Sequence, residues 1–499
     1  MKVTEYMKCD AVKLASLLEK KEVTQEEVIE ASFSRLDEVE SILEATTYTR
    51  KEKALHEVEE VEARPFRGVP LYLKDSSQAI AGELIQSGAT LLQDQKAHET
   101  ANFVKALYKA GFVSVGQSKA PEFSLKNITE PILYGSVCNP WNVAHSPGGS
   151  SGGAAALVAS GVVPIAGASD GGGSIRIPAS FTSLIGLKPT RGRTPVGPGV
   201  GRQWHGAAID FLLTRSVRDT ARALDELQCW QPSAAFHVPL YKSGYEASLK
   251  KETKKRYRIG FTTESPVDTP VSEEAVHAVV KTVKYLEEEG HIVEEVTSPV
   301  EGKELMYNYY MMNSGEMAAL FRQLEQQLGR SITRDDVELE AWLLAQAGEQ
   351  VSAADFSLSL ASWDIAAEKM ATFHEIYDFY VTPTTAYPAP QIGELTYTES
   401  EMNYFYDKIE QTDGLEKVEV IDEMFLPSLT YTPFTQLANL TGQPAISLPL
   451  HLTKDGLPLG VQFVANKGDE HRLLQIASKL EQSPLWIGLT NRPLTLQSN

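Results

Sequence analysis

The chain has 499 residues, 42% of them hydrophobic and 22% charged, a globular composition able to bury a sizeable core. Its formal net charge of −20 argues against nucleic acid or anionic lipid as partners, because both need clustered Lys and Arg. Cys9, Cys138 and Cys229 lie far apart with no CxxC spacing, which points to a reducing, cytoplasmic setting rather than a disulfide framework. The opening stretch MKVTEYMKCDAVK is too polar for a signal peptide, and no apolar run reaches the ~20 residues needed to span a membrane. The histidines are scattered without HExxH or HxH spacing, so no protein-built metal site is expected.

Residues 10–60 read as a helical N-terminal layer. Thr24 and Glu27 have capping-box spacing, and Val28, Ile29 and Leu36 form a partial apolar stripe. The pattern changes at Gly68. GVPLYLKDS is a short apolar run that reads as a buried strand ending in Lys74 and Asp75. A helical stretch at 98–110 is followed by the strand GFVSVGQS, the glycine turn SPGGSSGG, the helix AAALVAS and the strand VVPIAGAS. That last strand runs into a second glycine loop, DGGGSIRIPAS. Further on, YRIGFTTES reads as a strand and 272–289 as a helix. Residues 302–376 form a helical insertion placed to cover a pocket. DFYVTPTTAYPAP, AISLPLHL and GVQFVA resume strand character before a last helix at 469–482. Strands alternating with helices predict an α/β fold with a mixed sheet core at 68–300 and 378–485. No Pro/Ser linker divides the chain, so residues 1–499 read as one large domain.

Three features carry candidate chemistry. In Asp170-Gly171-Gly172-Gly173-Ser174, consecutive residues without a Cβ let backbone N–H groups converge beside a serine. An attacking serine needs such donors for the developing oxyanion, and losing one costs about 3–4 kcal/mol of transition-state stabilisation. Alone, the loop is also compatible with a tight turn after a strand. The first loop, Ser146 to Gly153, lacks the Gly-Lys-Ser/Thr ending of a phosphate loop. It contains a formal GxSxG around Ser150, but NPWNVAHSP before it is not the strand a nucleophile elbow requires. Lys74 ends an apolar run. Most lysines are surface charges, but a buried one loses affinity for its proton. Lowering a lysine from ~10.4 to about 7–8 costs on the order of 4 kcal/mol and produces a neutral amine able to act as a base.

Taken together, GVPLYLKDS, SPGGSSGGAAALVASG and ASDGGGSIRIPASFTSLIGLKPTRGR resemble the amidase signature family, with NLTGQPAISLPL and DGLPLGVQFVA similar near the C-terminus. Ser150 lies 24 residues before Ser174, which matches the family's central motif. The resemblance spans nearly the whole chain and is weakest at 300–430. It implies a fold with a mixed sheet flanked by helices and a Ser-Ser-Lys triad working through an acyl-enzyme. Ser174 is then the nucleophile, Ser150 the bridging serine on a cis peptide, and Lys74 the base. The backbone amides of Gly171, Gly172 and Gly173, with that of Ser174, form the oxyanion hole. Ser151 orients the triad, while Asp170 and Arg176 pin the loop through buried charged contacts. No cofactor is implied, the partner is a small-molecule amide, and homodimers are common among relatives. Gly171 departs from the Thr or Ile usual after the aspartate and leaves room for bulkier acyl groups.

Within the family, TEPILYGSVCNPWNVAHSPGGSSGG and DGGGSIRIPAS are similar to the 6-aminohexanoate cyclic dimer hydrolases, which implies linear or cyclic aliphatic amides as substrates. Two alternatives are a glutaminase subunit, the A subunit of a glutamyl-tRNA amidotransferase, and a non-catalytic amidase-like binding module. The RIPAS ending departs from the RQPA usual in the first, and the retained triad departs from the second.

Overall fold

The structure, a computed structural model, describes residues 1–58, 64–251 and 255–489. Eleven strands form one mixed sheet, in the order β1-β3-β2-β4-β6-β5-β10-β11-β9-β7-β8. Their ranges are β1 Thr46–Thr49, β2 Pro70–Lys74, β3 Val113–Ser118, β4 Ile165–Asp170, β5 Ile185–Lys188, β6 Ile209–Thr214, β7 Arg258–Phe261, β8 Ile292–Glu295, β9 Phe379–Pro383, β10 Ala445–Leu452 and β11 Pro458–Val464. β3, β2 and β4 run parallel, as do β9, β7 and β8, and the strands between these groups pair antiparallel. Every residue of β2 is buried, as expected of a parallel strand covered on both faces.

The N-terminal layer packs on this sheet through Val28, Ile29, Leu36 and Leu43 of the Gln25–Leu43 helix. Its start is held by the expected capping box: Glu27 N–H donates to Thr24 Oγ1, and Thr24 N–H donates to Glu27 Oε2. The stretch read as wholly helical also contains β1, which pairs with β3 at the sheet edge. TTYT is rich in β-branched residues, and it forms a strand because β3 offers a free edge.

The helical insertion consists of helices Gly302–Leu328, Leu339–Gly348 and Ala353–Ile376. It extends beyond the range read from the sequence. Helices Glu399–Gln411 and Glu416–Tyr431 join the first two in an apolar cluster separate from the sheet core. Met317, Leu343, Leu344, Val418, Ile421 and Met424 are buried in it. Each such side chain contributes about 1.5–3 kcal/mol on burial, enough to hold the layer as a wall over the sheet's end.

Candidate active site

Parallel pairing of β2 with β4, through Tyr72 opposite Ala166, brings their C-terminal ends together. Lys74 therefore arrives beside Ser169 and Asp170, at the edge where open α/β sheets commonly bind ligands. Lys74 is fully buried and its Nζ donates to Ser150 Oγ at 2.7 Å and to Ser169 Oγ at 2.8 Å. Burial lowers its pKa to about 7, against the opposing pull of Asp210, Asp170 and Asp75. Those carboxylates are occupied elsewhere. Asp210 accepts from Ser77, Gln78 and Gln203, while Asp75 accepts from Tyr134 and the amides of Gln86 and Gly88.

Ser150 sits in the first glycine loop, just before the Gly152–Ala159 helix, and the Gly149–Ser150 peptide is cis. Thr129 spans this turn: its hydroxyl donates to Gly148 O and accepts from Gly152 N–H. Ser151 Oγ contacts the backbone of Ser169, accepting from its N–H and donating to its carbonyl. Ser151 thus holds the residue that touches Lys74.

The second loop is fixed from below by an ion pair with no solvent exposure. Arg176 grips Asp170 with two hydrogen bonds, Nε to Oδ2 at 3.0 Å and Nη2 to Oδ1 at 2.8 Å. Burial opposes the Asp170 charge, but Arg176 and Asn439 outweigh it and hold the carboxyl at about 2. Asp170 also accepts from the amides of Gly173 and Ile175. The loop carbonyls are tied as well. Gly171 O accepts from Tyr309, Gly172 O from Thr435, and Gly173 O from Ile177 N–H. A peptide is planar, so each tied carbonyl also sets the direction of the next N–H. Among the described residues, the amides of Gly171, Gly172 and Ser174 form no hydrogen bond. The amide of Gly173 is the exception. It is engaged by Asp170, which removes it from the set of donors read from the sequence.

Ser174, Ser150, Ser169, Gly171 and Gly172 line one cavity of about 270 Å³. Phe123, Trp204, Met306, Phe425 and Leu429 supply its apolar wall, drawn largely from the helical layer and the loops beneath it. Among the described residues, Ser150 and Ser174 share this cavity without a hydrogen bond between them. Such contacts are often long in free enzymes and shorten on substrate binding.

Ser169, Tyr309 and Thr435 were not singled out from the sequence. Ser169 had a signal, its position next to Asp170. Tyr309 and Thr435 had none, because their partners are more than a hundred residues away.

Two glycines of the loop differ in what they tolerate. A Cβ on Gly171 would meet only Ala208, its Cβ at 3.4 Å and its Cα at 3.9 Å. Gly173 has φ +135°, and its Cβ would fall 2.3 Å from Thr435 Oγ1. Gly171→Ala is therefore expected to leave thermal unfolding within about 1–2 °C of the parent. Gly173→Ala should lose at least ~2 kcal/mol from backbone strain and the collision. Equal melting temperatures for the two variants would contradict this picture of the loop.

The sheet, the helical cover and the pair of glycine loops define an α/β amide hydrolase fold. The chain belongs to the amidase family, whose description (Amidase) matches residues 27–474. It is 39% identical over 481 residues to a lipoamidase of Enterococcus faecalis, covering 96% of this chain and 64% of that protein, so it spans less than two thirds of that relative. It is 34% identical over 486 residues to the 6-aminohexanoate-cyclic-dimer hydrolase of Paenarthrobacter ureafaciens, covering 96% and 95% of the two chains. A structure of 6-aminohexanoate cyclic dimer hydrolase complexed with substrate superposes with a TM-score of 0.89 at 32% identity, covering 98% and 99%. A bacterial aryl acylamidase superposes at 0.82 with 25% identity, covering 96% of each chain. Among the described residues, no helix is long and apolar enough to cross a membrane.

Proposed function

We propose that this amidase hydrolyses aliphatic carboxamides through an acyl-enzyme on Ser174, with Ser150 and Lys74 as the proton relay. The observation that carries the reading is the buried Lys74 amine, 2.7 Å from Ser150 at the wall of the cavity that Ser174 lines. A lysine with a pKa of about 7 is substantially neutral near pH 7, as a base must be. Lys74 takes a proton from Ser150, Ser150 takes one from Ser174, and Ser174 Oγ attacks the amide carbon. The amides of Gly171, Gly172 and Ser174 are the donors for the oxyanion, while Gly173 holds the loop to Asp170. The relay then returns a proton to the leaving nitrogen, because an amide anion is a poor leaving group. Water releases the acyl group by the reverse path.

For the substrate, the similarity to 6-aminohexanoate cyclic dimer hydrolases supports linear or cyclic aliphatic amides. The 39% identity to a lipoamidase supports a second reading, a lipoyl amide. Both place a methylene chain on the carbonyl, which suits a cavity walled by Phe123, Trp204, Met306 and Leu429. The purified chain is to be incubated with 6-aminohexanoate cyclic dimer and with lipoyl-lysine. New amine groups are expected from the first or free lipoic acid from the second, with an acyl mass adduct on Ser174. If neither is cleaved and no simple aliphatic amide forms an adduct, the reading is wrong.

A further inference from the structure

The Gly302–Leu328 helix presents Met306, Tyr309, Tyr310 and Asn313 to the cavity, spaced by three and four residues along one face. Tyr309 is more than wall, because its hydroxyl donates to Gly171 O at 3.1 Å. It comes this near because residue 172 has no side chain: a Cβ there would lie 2.7 Å from the Tyr309 oxygen. The hydroxyl keeps its proton at neutral pH. Desolvation pushes its pKa up to about 12, opposed by the Asn313 side chain one turn along the helix. Asn313 Oδ1 has no hydrogen-bond partner among the described residues, so it does not draw that proton away from Gly171.

Gly171 O and Gly172 N–H belong to one planar peptide and point in opposite directions. Fixing the carbonyl therefore fixes the amide. A hydrogen bond at the carbonyl end also polarises the peptide, strengthening the bond its N–H can give by about 10–30%. Among the described residues the Gly172 amide forms no hydrogen bond, and Gly172 lines the cavity with Ser174. The next peptide makes a contrast. Thr435 donates to Gly172 O at 2.6 Å, but the N–H at the other end, that of Gly173, is taken by Asp170 at 2.8 Å. Two hydroxyls hold two successive peptides of one loop, and of these the one held by Tyr309 has an amide to offer.

We propose that Tyr309 is a positioning residue for the reaction: it aims the Gly172 amide at the developing oxyanion, so the helical cover contributes to the chemistry as well as to the cavity wall. This rests on the acyl-enzyme reading and adds a residue to it. The effect falls on the transition state, because the charge that the amide meets develops only there.

The test pairs Tyr309→Phe with Thr435→Val, each of which removes one hydroxyl from the loop. Removing an oxyanion donor outright costs about a hundredfold to a thousandfold in kcat, and misdirecting one should cost less. Tyr309→Phe is expected to lower kcat on hexanamide by about tenfold to a hundredfold, with KM within about threefold of the parent. The fall in Thr435→Val should be smaller by at least about fivefold. A second measurement does not depend on how much of a variant is folded. In n-hexyl trifluoromethyl ketone, Ser174 Oγ can add to the carbonyl carbon and leave the charge on the oxygen, whereas the corresponding alcohol cannot react. The preference for ketone over alcohol, read from their inhibition constants, should shrink by about tenfold in Tyr309→Phe and distinctly less in Thr435→Val. A kcat lowered no more by Tyr309→Phe than by Thr435→Val, a loss confined to KM, or an unchanged ketone-to-alcohol preference would overturn the proposal. An unaltered protein that neither turns over the amide nor prefers the ketone would defeat the acyl-enzyme reading, and the positioning role with it.

Discussion

Ser174→Ala is expected to lower kcat on any aliphatic amide by about a millionfold, the scale of losing the nucleophile from a covalent serine hydrolase. The fold should not suffer. Ser174 is half-buried at the cavity surface, and the loop around it is held by the Asp170–Arg176 pair and by Tyr309, Thr435 and Ile177. The melting temperature should stay within about 2 °C of the parent, and substrate should still bind. The amides of Gly171 and Gly172 remain in place in this variant, so slow residual hydrolysis above the rate in water is expected from them alone. Turnover above one part in a hundred would show that another group attacks the carbonyl.

Lys74→Met is the second large effect, and it separates catalysis from stability. Removing the base should cut kcat/KM by about a hundredfold to ten-thousandfold. In the unaltered protein, kcat/KM should rise as pH climbs through about 7, where Lys74 loses its proton, and level off above. Stability follows the same group with a definite sign. The folded pKa lies near 7 and the unfolded one near ~10.4, so between them the unfolded chain holds the extra proton. The burial penalty is therefore at its full size, on the order of 4 kcal/mol, below pH 7 and fades as pH approaches 10. Methionine has no such penalty but gives up the hydrogen bonds to Ser150 and Ser169, about 1 kcal/mol each. At pH 6 the variant should be more stable than the parent by roughly 2 kcal/mol, with the difference shrinking as pH rises. A difference that does not change with pH would mean that Lys74 is not desolvated as the structure has it.

The readability of the site divides along the chain. Ser150, Ser151, Asp170 and the glycines before Ser174 stand in two contiguous stretches. Their chemistry depends on local backbone freedom and neighbouring side chains, and residue order alone expresses that. Lys74 was legible for a related reason: it ends an apolar run that reads as a covered strand, and that run is the fully buried β2. The donors of the glycine loop were read too broadly, because which amide is already engaged depends on where the Asp170 carboxylate turns once Arg176 grips it.

The fold divides in the same way. The strands around both glycine loops, the capping box at Thr24 and the helices of 302–376 follow from periodicity and local signals. β1 and the helices of 399–431 do not. A short β-branched segment becomes a strand only when an edge is present to pair with it. Helices far apart in sequence become one layer only when their apolar faces meet.

The amino-acid order by itself determined the family, the α/β alternation and the strand end and two loops that carry Lys74, Ser150 and Ser174. Tertiary structure decided the weakened hold of Lys74 on its proton, through burial, and its placement against Ser150 and Ser169. It also decided the freedom of the Gly171 and Gly172 amides and the pairing of Lys126 with Glu338 and Glu340. That last feature joins residues 122–126 to 338–340, a pairing that no local pattern encodes because charge balance depends on distance in space.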